Sequence, residues 1–576
     1  MNKTLSAEVR AHRRYIPPQF DAHQWEAIAP WFAELQSRVL PDDDALRRWL
    51  ADWDELESVL QEEGSRRFIH MTCHTDDKAA VERYTQYLQT ISPKATEARQ
   101  ELVRKYWDSP LRAALDANRY RVMNRLAENT LKLYRKENLE LQTQIDVKAQ
   151  QFSALSGAMT VTLEGKELTL QQAAAWLERP DRSQREQAWR TIAERRRQDR
   201  EALDKLFDEL LTLRSQVARN AGYTTYTDYR FQELGRFDYD RAACTQFQQA
   251  VEQHISPLNA RLMAKRAQRL GLPALKPWDT EVNPYGNSTL KPFANGEELF
   301  LKTKTVFTRL KPELGDMVQR LADLGHLDLD SRVGKAPGGY NCSLHETGVP
   351  FIFMNAAGLH KDVVTMVHEC GHAFHSILTH PLPHNTDKEF PSEIAEVASM
   401  SMELITMDHW EVFYPNANDL RQAKREQLTR VVNLLPWIAT VDAFQQWLYD
   451  NPNHTPTERA DRFAALHQRF HGADVDWAGL EDYRRYIWHK QIHIFEIPFY
   501  YIEYGIAQLG ALQLWRNYRQ DPKGALEAYL GALALGYSKP LPELFTAAGI
   551  RFDFSAGMIT DLAQFLEREL NQEGLL

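Results

Sequence analysis

His368, Glu369 and His372 form an H-E-x-x-H string inside VVTMVHECGHAFH, residues 363–375. On a helix, residues four apart lie one turn apart on the same face. Both imidazoles can therefore meet a single metal ion, each at about 2.0–2.1 Å. Glu369 lies beside that face, within reach of a water on the same ion. This is the pattern of a zinc hydrolase with a carboxylate general base. With 19 His in 576 residues, a chance string of this form is on the order of a few per cent, so the context matters. The flanks VVTMV and AFHSIL are apolar at helical spacing, which puts the string on a buried helix. Two imidazoles and a carboxylate are costly there unless they are paired or metal-bound.

A catalytic zinc needs a third protein ligand and leaves a fourth position to water. PSEIAEVASMSMEL, residues 391–404, reads as a helix capped by Ser392 and offers Glu393, Glu396 and Glu403 close to one face. Spacing favours Glu396 over Glu393, since Ala395 and Ala398 flank it and would let two helices approach closely. The other carboxylate, or Glu403, would hydrogen-bond a ligand imidazole and fix its tautomer. A purely structural zinc site is disfavoured, because such sites fill the fourth position with Cys or His. Later, residues 486–515 gather His493, Glu496, Tyr500, Tyr501, Glu503 and Tyr504 in one largely apolar segment. That segment reads as an amphipathic core helix. The same phenols and imidazole could also line a cavity and stabilise an oxyanion that develops only in the transition state.

The elements that must position these groups are mostly helical. Residues 23–63 carry apolar side chains at three- and four-residue spacing, with a helix start at Asp42 to Asp44. Residues 75–107 and 111–155 continue as charged amphipathic helices. MTVTLEGKELTL, 159–170, alternates about Glu164-Gly165 and predicts a small hairpin. Thr169 and Gln172 form a capping box for the next helix; Pro180-Asp181 ends it, and Ser183 with Glu186 caps its successor. A boundary is placed here, between an N-terminal helical region (1–180) and a catalytic domain (181–576). Arg195 to Arg197 read as a solvated helix face, the tyrosines of 221–240 as packing, and Trp278 as a buried residue in a Pro-punctuated loop. Helices resume from Gly296 to Leu324. Residues 327–360 are irregular and glycine-rich, with VPFIFMN as a short strand that presents an open edge to a peptide. Gly338 and Gly339 would allow close backbone approach or a mobile flap, or would simply make turns.

Formal net charge is -10, with acids and bases interspersed and no basic tail, which argues against a nucleic-acid partner. Cys73, Cys244, Cys342 and Cys370 are widely separated, as expected of thiols in a reducing compartment. The N-terminus is polar with no apolar signal core. The best candidate span, 431–449, carries Asn, Pro, Asp and two Gln, so no membrane crossing is expected. A cytoplasmic protein is the expectation.

Four blocks in order, GKAPGGYNC to GVPFIFMN (334–355), HECGHAFHS (368–376), AEVASMSMEL (395–404) and QIHIFEIPFYYIEYGIAQ (491–508), resemble the thimet oligopeptidase family of zinc metallopeptidases. The likeness is to its oligoendopeptidase F or Pz-peptidase branch and reaches over roughly 155–550, including the helix from Ser183 to Gly222. The resemblance implies a mainly α fold: a two-lobed helical bowl around a deep substrate channel, with a small β-sheet beside the active-site helix. It implies one Zn2+ per chain on His368, His372 and Glu396, with Glu369 as general base and Glu403 behind the ligands. His493 and Tyr504 look like the transition-state binders, with Tyr500 and Tyr501 as alternatives. Gly338, Gly339, Tyr340 and Asn355 would contact peptide backbone. The implied activity is cleavage of internal bonds in short unstructured peptides. A carboxypeptidase or dipeptidase on a similar fold, and a non-catalytic peptide-binding scaffold, are the rival readings. Monomer and homodimer both remain open.

Overall fold

The periodic, charge-rich stretches fold as helices in the computed structural model, which describes residues 7–286, 290–332, 334–336, 338–472 and 475–576. The start of the polar N-terminus (1–6) and Pro337 of GKAPGG lie outside the described residues. The fold is mainly α with two small sheets. None of the described helices is long and apolar enough to cross a membrane. The chain divides into two compact units, each made of three separate stretches. The first comprises Met1–Lys132, Leu290–Leu420 and Gly510–Phe552; the second comprises Leu133–Thr289, Arg421–Leu509 and Asp553–Leu576. The boundary expected near residue 180 falls inside the second unit.

In the first unit, Asp42 accepts a hydrogen bond from Ala45 N and starts the long Asp43–Cys73 helix, as its sequence predicts. Trp49, Leu50 and Leu56 of that helix join Ile28, Phe32, Leu102 and Tyr106 in a buried cluster. The functional part of this unit is a three-stranded sheet followed by two helices. β3 (Leu327–Asp330) lies parallel to β5 (Phe351–Ala356), and β4 (Tyr340–Cys342) lies antiparallel on the other side of β5. VPFIFMN therefore supplies the central strand, not the edge the sequence suggested. Its uninterrupted apolar run is the reason: Phe351 to Met354 are all buried, as in a strand covered on both faces. The outer strand on that side is β4, built from the residues just after Gly338-Gly339.

In the second unit, β1 (Thr160–Leu163) and β2 (Lys166–Thr169) form the expected hairpin. Glu164 and Gly165 both have positive φ (50° and 75°), the geometry of a tight two-residue turn. The Thr169–Gln172 capping box is present. The next helix, Arg182–Gln198, is capped by Asp181 rather than Ser183. The carboxylate takes the Gln184 N–H, and the Ser183 hydroxyl donates to Asp181 instead. Residues 486–515 do not form one helix. A short turn of helix, Ile492–Phe495, ends before Pro498, and a new helix, Tyr501–Gln520, begins after Phe499.

Candidate functional site

The helix His360–Thr379 follows β5 closely. Its start is fixed by Asp362, whose carboxylate accepts from Ala357 N (2.8 Å) and Leu359 N (2.9 Å). His368 and His372 stand one turn apart with ring centroids 4.9 Å from each other. The helix Ser392–Ile405 crosses against them and brings Glu396 into the pair. Its Oε2 lies 3.4 Å from His368 Nε2 and 3.8 Å from His372 Nε2. Glu393, on the same helix, is buried and outside this group of three. The helix begins at Ser392 itself, after Pro391, with no side-chain cap, so the predicted Ser392 cap is not made.

The approach of the two helices depends on Gly371, the residue between Cys370 and His372. A Cβ there would stand 2.6 Å from Ala398 O and from Ser399 Cα, both backbone atoms. Ala398 is thus at the crossing, as its small side chain suggested, but the residue that makes room is the glycine on the other helix. The Tyr529 hydroxyl donates to the same Ala398 carbonyl (2.8 Å), and the Ser399 hydroxyl donates to Glu396 Oε2 (3.0 Å).

Glu403, two turns beyond Glu396, places Oε1 2.7 Å from His368 Nδ1. With Nδ1–H donated to a carboxylate, the Nε2 lone pair of His368 faces the Glu396 oxygen, acceptor against acceptor. A proton or a metal ion between the two atoms would relieve that contact. The ligand atoms of His368, His372 and Glu396 all lie within 4.8 Å of one another, so these residues could hold a metal ion. The surrounding carboxylates favour positive charge at this place, which a proton on His368 or a metal ion would supply. Burial opposes charge on His368, yet the Glu403 hydrogen bond and the Glu396, Glu403 and Glu369 carboxylates raise it to about 9. Burial pushes Glu369 up to about 7, with Glu396 and Glu403 adding to it, and Glu369 Oε2 is buried without a hydrogen-bond partner. Burial, with the charge of His368, holds His372 well below its ordinary value.

The strand and loop before the helix are tied to it. Asn341 of β4 donates to the backbone carbonyl of Glu369 (3.2 Å). Gly338 has φ of 96°, and a Cβ on Gly339 would press against Phe353 O at 3.3 Å. Asn355 uses its amide to hold this loop, donating to Ala336 O (2.8 Å) and Gly338 O (2.9 Å). Tyr340 stacks on Phe353 and shares a hydrogen bond with the Thr72 hydroxyl (2.6 Å).

The other predicted residues come together within the second unit. The chain reverses at Phe499, a bulky residue with φ of 69°. A non-glycine residue there costs about 1–3 kcal/mol and persists only where its surroundings impose it. Here Gln445 accepts from Phe499 N (2.7 Å), buried Arg236 donates to Phe499 O, and the ring packs among Tyr226, Phe231 and Tyr449. Arg236 also pairs with Glu503 (2.7 Å), and buried Arg214 donates to the carbonyls of Ile494 and Phe495. The turn gathers His493 with three phenols: ring centroids lie 5.8 Å from Tyr500, 5.0 Å from Tyr501 and 5.7 Å from Tyr504. Gln491 contacts His493 Nδ1 (2.7 Å), and the Trp437 indole donates to Gln491 Oε1 and to the Tyr501 oxygen, both at 3.1 Å. Burial pushes Tyr501 up to about 12.

Gly371, Ser399, Asn341, Gln491 and Trp437 were not singled out from the sequence. Gly371 alone left a signal there: a glycine inside an apolar helical pattern, which marks close approach.

The chain is similar to known proteins in sequence and in fold. Residues 18–134 match the peptidase M3 N-terminal domain. An oligoendopeptidase F homolog of Lactococcus lactis subsp. lactis is 26% identical over 227 residues, 39% of this chain and 33% of the relative. One of Borreliella burgdorferi is 24% identical over 230 residues, 38% of this chain and 37% of the relative. The matched stretch thus spans about a third of these relatives' length. Among solved structures, Pz peptidase A with an inhibitor superposes with a TM-score of 0.90 at 26% identity, covering 98% of this chain and 99% of that one. A putative oligoendopeptidase F gives 0.88 at 27% identity, covering 98% of each. The family model for the peptidase itself, peptidase family M3, matches residues 175–564, which hold the His368–His372–Glu396 cluster and the His493 turn alike: this chain belongs to peptidase family M3.

Proposed function

We propose that the chain is a zinc endopeptidase that cleaves internal bonds of short, unstructured peptides. The observation that carries this reading is the convergence of His368 Nε2, His372 Nε2 and Glu396 Oε2, a ligand set that could hold one metal ion, beside a buried carboxylate with an unpartnered oxygen. The chemistry a zinc ion supplies when bound is polarisation of a carbonyl and acidification of a water.

The chain's own groups do the rest. Glu396 is held by Ser399, and His368 by Glu403, so the ligand atoms are pre-oriented. Glu369 takes the proton of the attacking water at its carboxylate and delivers it to the leaving amine. His493, Tyr500 and Tyr504 donate to the oxygen that becomes negative in the transition state. The Tyr501 oxygen accepts from Trp437 and its O–H can still donate, so Tyr501 stays an alternative for the same role. The outer edge of β4 is the strand onto which a peptide backbone adds, and Gly338 and Gly339 shape the loop that leads into it. The dispersed cysteines of the sequence suit a cytoplasmic setting.

The test is cleavage of a quenched-fluorescent peptide blocked at both ends. Internal cleavage by the zinc-loaded chain, abolished in Glu369→Gln, is the expected result. Cleavage restricted to peptides with a free terminus, or none with zinc fully bound, would contradict the reading.

A further inference from the structure

We propose that Trp437 and Gln491 are positioning residues that lock His493 in the neutral tautomer with its proton on Nε2, the form that can donate to an oxyanion. The proposal rests on the role assigned to His493 above.

An indole N–H donates and cannot accept. Trp437 Nε1 lies 3.1 Å from one end of the Gln491 amide, so that end is the carbonyl oxygen. The other end, the NH2 group, is then turned to His493 Nδ1 at 2.7 Å. An amide NH2 has protons and no acceptor to offer, so Nδ1 must present its lone pair and the ring proton sits on Nε2. Protonation of Nδ1 would set two N–H groups head to head, so the same contact also opposes the imidazolium. Gln491 is only 9% exposed, which keeps water from relaxing the constraint. Trp437 is in turn held in place: its N–H also reaches the Tyr501 oxygen (3.1 Å), and its ring packs on Phe463 and His467.

The arrangement is the reverse of that at His368. There a carboxylate, Glu403, faces Nδ1 and accepts its N–H, so that in the neutral ring Nε2 is the lone pair offered to a metal. Here an amide donor faces Nδ1 and leaves Nε2 as a donor. One chain thus sets two imidazoles to opposite tasks by the group placed behind each.

The experiment uses the full-length zinc-loaded protein labelled with 15N-histidine. Solid-state spectra, with the His493 signals assigned by difference from His493→Gln, should show an unprotonated Nδ1 and a protonated Nε2. This wild-type readout needs no second variant to fold. Gln491→Glu, which puts an acceptor behind Nδ1 as at His368, should move the proton to Nδ1. It should lower kcat about 10- to 100-fold while KM stays within about threefold. In a His493→Ala background the same substitution should cost nothing further. Trp437→Phe, which frees the amide to turn over, should lower kcat in the same direction. A proton on Nδ1 in the wild type, or an unchanged kcat in Gln491→Glu with the tautomer reversed, would overturn the proposal. Full activity in His493→Ala would instead remove the role of His493, while the wild-type spectrum would still decide the lock.

Discussion

Glu403 does not reach the metal-ligand group, yet it determines what His368 can do. Its Oε1 lies 2.7 Å from Nδ1 and accepts the N–H there, so that loss of a proton from the ring bares Nε2 rather than Nδ1. Glu403→Ala should lower zinc affinity by about 10- to 100-fold, measured by competition with a chromogenic chelator, and activity at limiting zinc should fall with it. Unchanged affinity would show that the tautomer is set by other means. At this scale the sequence was most legible where a spacing rule applies. Two His one turn apart can be read from residue types alone, while spacing favours Glu396 over Glu393 without deciding between them. The partners behind them cannot, because Ser399, Asn341 and Gln491 are ordinary polar residues until folding shows what each faces.

The contact between the helices His360–Thr379 and Ser392–Ile405 is made at Gly371, where backbone meets the place a Cβ would occupy. Gly371→Ala should force the helices apart. It should cost about 1–3 kcal/mol by overpacking and lower zinc content as Glu396 withdraws, read by urea denaturation and metal analysis of the same preparation. The turn at Phe499 makes a second prediction. Arg236 is buried against Glu503 and the strained backbone. Arg236→Met should cost about 3–5 kcal/mol, because it strands a buried carboxylate. Adding Glu503→Gln should recover part of that loss. Equal stabilities of the single and double variants would refute the ion pair's role. Residues 486–515 read as one segment because their apolar content is continuous. Pro498 marked the break, but nothing local announced a positive φ at a phenylalanine, which Gln445 and Arg236 impose from distant parts of the chain. VPFIFMN is legible as a strand but lies at the centre of its sheet rather than at an edge, and its lack of alternation is the sign that both faces are covered.

At the scale of the molecule, the helical class follows from periodicity. The division into units that each draw on three stretches does not, since it depends on contacts between residues hundreds of positions apart. Each unit also carries a half-buried imidazole that affects its response to acid. Burial pushes His345 in the first and His471 in the second down to about 4, from an ordinary 6.5. Between those values the unfolded chain binds more protons than the folded one, so stability falls as pH drops from about 6.5 towards 4. Melting temperature should decline over that window, and His345→Gln should flatten part of the decline; a Tm independent of pH there would contradict it. The claim on which the account rests is that His368, His372 and Glu396 together hold one ion. Zinc content per chain, measured on the wild type, Glu369→Gln and Glu396→Ala after identical dialysis, tests it most directly. The account predicts one zinc in the first two and little in the third. Full zinc in Glu396→Ala, or none in the wild type, would contradict it.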